Sequence, residues 1–257
     1  MNFILWGIYV PFKNGLVAHL IERFALEGNA ATALWVVGFV FCAIAAYLLG
    51  SINWAIVISR VFFRDDIRKH GSGNAGATNM LRTYGAGAAV PTLLLDGLKG
   101  VFGILIACLI CGHQLTFVTA TAAYMSAFFA ILGHVFPCFY RFKGGKGVSS
   151  AALAIAVLNP FLFLILLVLF IGIVATTRFV SLGSVIGVAL YPVLLFNFDI
   201  LHLGTPPLFA LLIAALIIWA HRANIKRIMD HTESKISFGK KPTPPAPEPE
   251  AEDDEEE

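Results

Sequence analysis

The sequence predicts an all-α fold: a polytopic integral membrane helical bundle of about seven transmembrane helices, one of them a short half-span. Three observations lead there. Of the 257 residues, 58% are hydrophobic and only 13% are charged, against about 25% charged in soluble domains. The charge is missing in blocks, since residues 29–59, 100–140, 147–177, 179–198 and 200–221 contain no Asp, Glu, Lys or Arg. Each block reaches the roughly 20 apolar residues that cross a hydrocarbon core. A soluble fold and a disulfide scaffold are excluded, and so is a transmembrane barrel, which would show short alternating segments.

Residues 1–32 read as an N-terminal interfacial arm. Its segment 3–12 is apolar but too short to span, and 16–27 alternates apolar and polar residues at helical spacing. The first three spans are expected over 33–58, 90–111 and 116–136, with a turn at 112–114. The run 148–177 would be about 45 Å long as one helix, too long for a core of about 30 Å. It contains Asn159-Pro160, and proline disfavours helix in the residue before it. The run therefore divides into a half-span, 148–158, and a full span, 161–176. Two more spans follow, at 179–198 and 205–221. Sixteen of the 18 Lys and Arg residues fall in 60–69, 82–99, 141–146, 178 and 222–241. The positive-inside rule places those clusters in the cytoplasm, with the N-terminus outside and the C-terminus inside.

Residues 33–235 form the membrane domain, and 236–257 form a Pro-rich acidic tail. Residues 242–257 hold 8 of the 16 acidic residues and no base. Such a segment cannot bury apolar surface and is expected to be disordered. The rest of the chain has 18 basic residues against 8 acidic ones, a net charge of +10. Cys42, Cys108, Cys111 and Cys138 lie in or beside apolar runs and read as small packing residues. The Cys108–Cys111 spacing lacks the second pair or histidines that a metal site needs.

Three polar motifs share the cytoplasmic face. Residues 68–82 contain Gly71, Ser72, Gly73, Asn74, Asn79 and Arg82. Glycines let backbone N–H groups approach a ligand, successive N–H groups form anion nests, and a helix start adds positive potential. Residues 142–150 follow the same logic, with Lys143, Gly144, Gly145, Lys146 and Gly147 before a helix that Ser149 or Ser150 can cap. The GxxxxGK[ST] frame of a nucleotide-binding loop is absent. The third motif, 221–227, continues the last span and sets His221 and Asn224 on one helix face. Arg222, Lys226 and Arg227 read as positive-inside anchors. His134 and Ser181 lie at the same membrane level. Together these residues fit an anionic, phosphorylated ligand beside apolar helices able to take an acyl chain.

The segments GSGNAGATNMLR, LLLDGLKG, LGHVFPCFYRFKGGKGVS, RFVSLGS and HRANIKR occur in order over residues 38–235. They resemble the bacterial acyl-phosphate:glycerol-3-phosphate acyltransferases, the PlsY family. The resemblance implies a seven-span inner-membrane enzyme with a cytoplasmic active site. Its reaction would transfer an acyl group from acyl phosphate to the 1-hydroxyl of sn-glycerol 3-phosphate, giving lysophosphatidic acid and inorganic phosphate. It implies catalytic roles for Ser72, Arg82, Lys146, His221 and Asn224. Substrate-binding roles are expected for Gly71, Gly73, Asn74, Asn79, Lys99, His134, Lys143, Gly144, Gly145, Gly147, Ser149 and Ser181. Either His221 or the substrate's own phosphate would serve as the base. Ala223 departs from the family's usual HRENI, where Glu is expected. The arm and the acidic tail also lie outside the family pattern. No cofactor, metal or nucleic acid is expected, and the protein is expected to act as a monomer among membrane lipids. The alternative from another class, a transporter of phosphorylated small solutes, would place ionisable groups near the midplane of interrupted spans.

Overall fold

Hydrocarbon offers no hydrogen bonds, so a chain that crosses it must satisfy its own backbone, and the charge-free runs become helices. The computed structural model describes residues 14–112, 116–198 and 207–236. In chain order the helices are α1 (Gly15–Arg23), α2 (Gly28–Ser51), α3 (Trp54–Phe63), α4 (Ala77–Tyr84), α5 (Ala86–Cys111), α6 (Phe117–Val135), α7 (Val148–Leu158), α8 (Pro160–Thr177), α9 (Val180–Asn197), α10 (Pro207–Ala220) and α11 (Arg222–Met229). No strand occurs among the described residues.

Five segments are long and apolar enough to span: Gly28–Phe63, Ala86–Cys111, Phe117–Tyr140, Pro160–Thr177 and Val180–Asn197. A sixth is the pair Leu208–Ala220 and Arg222–Met229, bent by 55°, and Val148–Leu158 is a shorter apolar helix. These make up the expected bundle, half-span included. Pro160 opens α8 at its first turn, where its missing N–H costs nothing.

The centre of the bundle is α6. Of its most apolar window 61% is buried, against 17% for α8, whose Phe161, Leu164, Val168 and Ile171 face outward. Small residues let α2 approach α6 closely, as in many membrane helix pairs. A Cβ on Gly50 would fall 2.1 Å from the Ala130 carbonyl oxygen, and one on Gly133 would fall 2.2 Å from that of Tyr47. The Tyr47 hydroxyl donates to the Phe136 carbonyl at 2.8 Å, tying the same two segments at the end where the polar loops lie.

Four sequence expectations change. The first span is not one helix over 33–58, because it breaks at Ile52–Asn53 between α2 and α3. Asn53 caps α3 by accepting from Ile56 N at 3.1 Å. Neither Ser149 nor Ser150 caps α7, since Gly147 is the cap residue and Ser150 Oγ donates to the Asp96 carbonyl at 2.6 Å. The third motif does not continue the last span straight on. The His221 N–H reaches both Ile217 O and Ile218 O, and this tightened turn swings the charged helix α11 away from the α10 axis. Finally, the described part of the arm is docked. Gly15 and Val17 are buried, and a Cβ on Gly15 would fall 2.3 Å from Gly112 N at the end of α5. Residues 1–13, the turn residues 113–114 and the acidic tail 242–257 lie outside the described residues.

The α2–α6 contact sets a test. Gly133→Ala should destabilise the protein by about 1–3 kcal/mol through overpacking. Gly172 has nothing near it, so Gly172→Ala should be neutral or stabilising by up to about 1 kcal/mol. Thermal unfolding of the purified variants in detergent measures both. Equal midpoints for the two would remove close packing as the basis of this interface.

Candidate functional site

The first polar loop is held in shape by one side chain. Asn79, buried on the first turns of α4, donates through Nδ2 to Ile67 O at 3.2 Å and to His70 O at 2.9 Å. Its Oδ1 accepts from Ser72 N at 3.0 Å. The amide expected to touch the ligand is thus engaged with loop backbone. Gly71 and Gly73 have φ of +55° and +69°, which side chains rarely adopt, and Ser72 stands exposed between them. Two acids anchor the same loop. Asp66 takes both branches of Arg68, at 2.9 and 2.7 Å, and Arg60 at 3.0 Å. Hydrogen bonding to Arg68, opposed by burial, holds Asp66 far below the usual carboxylate range. Asp65 accepts from the Tyr84 hydroxyl at 2.7 Å and pairs with His70. Arg68 and His70 are therefore held by the loop's own acids. Arg82, one turn beyond Asn79, is not.

The second loop packs directly on the first. A Cβ on Gly145 would fall 2.1 Å from His134 Nε2 and 2.4 Å from the Ala75 carbonyl oxygen. Asn53 Nδ2 donates to that same Ala75 oxygen at 3.2 Å, and Gly145 N donates to His134 O at 3.1 Å. Gly144 is equally confined, 2.0 Å from His134 O by the same construction.

Beneath both loops lies a buried polar cluster. Asp96 Oδ1 accepts from Trp54 N at 3.2 Å and from Lys99 Nζ at 2.9 Å, and Lys99 Nζ also donates to Ile52 O at 2.9 Å. His134 Nδ1 lies 3.6 Å from the same Asp96 oxygen. Lys99 and His134, expected beside the substrate, are 4% and 2% exposed and are directed at Asp96 and the loop backbone. They support the site from below.

Five other expected residues or their partners do converge. Lys146 Nζ donates to Asn224 Oδ1. Asn224 Nδ2 donates to Glu233 Oε1 at 2.6 Å, and Ser181 Oγ donates to the same oxygen at 2.7 Å. Arg82 Nη2 donates to the neighbouring Ser234 carbonyl at 3.0 Å. Buried His221 directs Nδ1 at Ile217 O, 2.8 Å away. A carbonyl only accepts, so Nδ1 of the neutral ring carries the proton and Nε2 keeps a free lone pair, while burial and then Lys146 push the ring's pKa down to about 4. Burial, with help from Arg227 and Arg82 and against the pull of Glu233, pushes Lys146 down to about 8. Burial also lowers Arg82, with Glu233 opposing. Lys143 lies exposed at the loop surface and Ser149 on the first turn of α7, both apart from the bonds of this cluster. Asn74 and Gly76 shape the first loop's exit, where Gly76 N bonds to Asn74 O at 3.1 Å.

Two contributors were missed by sequence reasoning. Glu233 is the acid at the heart of the cluster, and its only sequence signal is to be, with Asp230, one of two carboxylates in the otherwise basic end of the membrane domain. Arg227, expected to be a plain anchor, donates through Nε to Glu233 Oε2 at 2.7 Å. Ala223 is exposed, so the Glu usual at that position would point away from these groups.

The chain matches the family model described as glycerol-3-phosphate acyltransferase over residues 40–231. It is 39% identical to the glycerol-3-phosphate acyltransferase of Thermoanaerobacter pseudethanolicus over 197 residues, covering 77% of this chain and 95% of that protein. It is 41% identical to that of Rhodopseudomonas palustris over 201 residues, covering 77% and 96%. Among solved structures it resembles PlsY, an integral membrane glycerol 3-phosphate acyltransferase. The glycerol 3-phosphate form matches with a TM-score of 0.68 and 35% identity, over 77% of this chain and 96% of that one. The lysophosphatidic acid form gives a TM-score of 0.65 at the same identity. By the length and closeness of these matches, this multi-span membrane protein belongs to the glycerol-3-phosphate acyltransferase family.

Proposed function

We propose that the chain transfers an acyl group from acyl phosphate to the 1-hydroxyl of sn-glycerol 3-phosphate, releasing lysophosphatidic acid and inorganic phosphate. The observation that carries this reading is the convergence of Arg82, Lys146, Ser181 and Asn224 from four separate segments onto one cluster, with His221 close enough to feel the charges of Lys146 and Glu233. Acyl phosphate is already activated, so the enzyme has mainly to hold two anions together and offset their charge. Arg82 and Lys146 supply the positive charge. The glycine loops supply backbone donors, with Ser72 at the tip of the first.

In this reading the 1-hydroxyl oxygen attacks the acyl carbonyl carbon. Its proton passes to His221 Nε2 or to the substrate's own phosphate. The tetrahedral intermediate collapses by breaking the carbon–oxygen bond to phosphate, which leaves as inorganic phosphate. The acyl chain lies along the outward apolar faces of the helices. The basic clusters at the site's end of the bundle support a cytoplasmic active site and C-terminus, in a bacterial inner membrane, with the N-terminus outside. Residues 33–235 form the catalytic body, flanked by the arm 1–32 and the tail 236–257, and the protein acts as a monomer. A transporter would need its ionisable groups at a midplane binding site, whereas Asp96 and Lys99 are taken up by the backbone of the α2–α3 break.

Purified protein should form lysophosphatidic acid and release phosphate only when both substrates are present. Arg82→Ala and Lys146→Ala should each lower kcat/KM about a hundredfold or more, while the exposed Lys226→Ala leaves it unchanged; equal losses in all three would contradict the site. With Lys146 at about 8, its positive charge is present below that pH and lost above it. The KM for glycerol 3-phosphate should therefore rise as pH passes through about 8. Lys146→Arg should displace that rise out of the accessible range, and steady-state kinetics across a pH series reads both outcomes.

A further inference from the structure

One carboxylate joins the converging groups. Glu233 follows α11, and its side chain is 6% exposed. It accepts three hydrogen bonds from two helices: Ser181 on α9, and Asn224 and Arg227 on α11, the first two at Oε1 and the last at Oε2. Burial raises its pKa, but these donors prevail and hold it below the ordinary carboxylate value. The backbone around it is fixed as well. Thr232 N and Glu233 N both donate to Arg227 O, at 2.8 and 3.1 Å, and Ile236 N donates to Arg178 O at 2.9 Å. Arg82 on α4 holds Ser234 O. Residues 230–236 thus form a strap tied to α4, to the turn before α9 and to α11.

The chemistry of the contacts fixes directions. A carboxylate only accepts and an ammonium only donates. Between Glu233 and Lys146, the Asn224 amide therefore has one stable setting, with NH2 toward the acid and oxygen toward Lys146. Reversing it would set NH2 against the ammonium and oxygen against the carboxylate. The single Ser181 proton is likewise committed to Glu233, so Ser181 faces a ligand as an acceptor. That suits a hydroxyl of the glycerol and not a phosphate oxygen.

We infer that Glu233 is a positioning residue of the substrate site: its carboxylate sets the hydrogen-bond direction of Ser181 and Asn224 and, through Asn224, holds Lys146 toward the ligand. The inference rests on the acyltransfer reading above. It also has an electrostatic consequence. Lys146 is faced by Glu233 from the strap, Arg227 from α11, Arg82 from α4 and His221 from the bend before α11. Of these only Glu233 favours the charged ammonium, since Arg227 and Arg82 oppose it and His221 offers no negative charge.

The test is steady-state kinetics of the full chain in lipid nanodiscs, comparing wild type, Glu233→Gln and Glu233→Asp. Glu233→Gln should raise the KM for glycerol 3-phosphate about tenfold, the loss of one charge-assisted hydrogen bond, with a smaller change in kcat. It should also move the alkaline limb of kcat/KM to lower pH, because Lys146 loses the charge that favours its protonated form. Glu233→Asp keeps the charge and should show an intermediate KM with the limb where it is in wild type. An unchanged KM and pH profile in Glu233→Gln would overturn the inference. So would a lower KM, which would make Glu233 a competitor of the substrate phosphate for the same cations. If Glu233→Gln does not fold, Glu233→Asp decides: a raised KM supports the role and a wild-type KM overturns it. Active wild type with unaltered variants defeats this inference alone, whereas wild type that forms no lysophosphatidic acid defeats the acyltransfer reading and this inference with it.

Discussion

The site depends on how the first span is broken. At Ile52–Trp54 the helix stops inside an apolar bundle, leaving a carbonyl and an N–H without their helical partners. Lys99 donates to the carbonyl and Asp96 accepts from the N–H. Either charge alone at this depth would be costly. Paired with each other and bonded to backbone, the two become the fixed point of the protein. From that point Ser150 anchors the first turn of the half-span through the Asp96 carbonyl. His134 stands beside the same carboxylate, and the second glycine loop is moulded on His134. Asn53, in the gap of the break, holds Ala75 and with it the end of the first loop. Two loops separated by some seventy residues are thus positioned by one interruption and the pair that satisfies it.

Above this fixed point the electrostatics are graded. The acids of the first loop take up Arg60, Arg68 and His70, fixing the loop while removing their charge from play. Arg82, Lys146 and Arg227 surround a single carboxylate, so their cluster keeps a net positive charge without three bare cations in contact. Such an arrangement attracts an anion and still folds before the anion arrives.

The spans were legible because lipid demands long charge-free runs, and the half-span because Asn159-Pro160 interrupts a run too long for one crossing. The Lys146 and Asn224 motifs were legible because glycines alternating with lysines before a helix are the ingredients of an anion cradle, and histidine three residues before asparagine shares its helix face. The break at Ile52 was not, since the run 29–59 carries no charge and no proline and the groups that satisfy the break sit more than forty residues away. The fates of Lys99 and His134 were hidden for the same reason. Both have residue types suited to a ligand, and only the fold shows that Asp96 and the loop backbone lie within reach. Glu233 was the hardest to find, because its meaning comes from Ser181, 52 residues earlier, and from a helix bend that no local pattern announces.

The half-span cannot stand in lipid on its own. Eleven residues of helix reach about 16 Å, so α7 ends at depth, where Asn159 Nδ2 donates to the Tyr124 hydroxyl at 2.6 Å and the Tyr191 hydroxyl at 3.2 Å. Those hydroxyls belong to α6 and α9, one made before the half-span and one after it. A nascent α7 emerging into lipid alone would be too short to cross and would carry an unmet amide at its tip. The tip of the half-span is fully met only with α6 and α9 both standing against it.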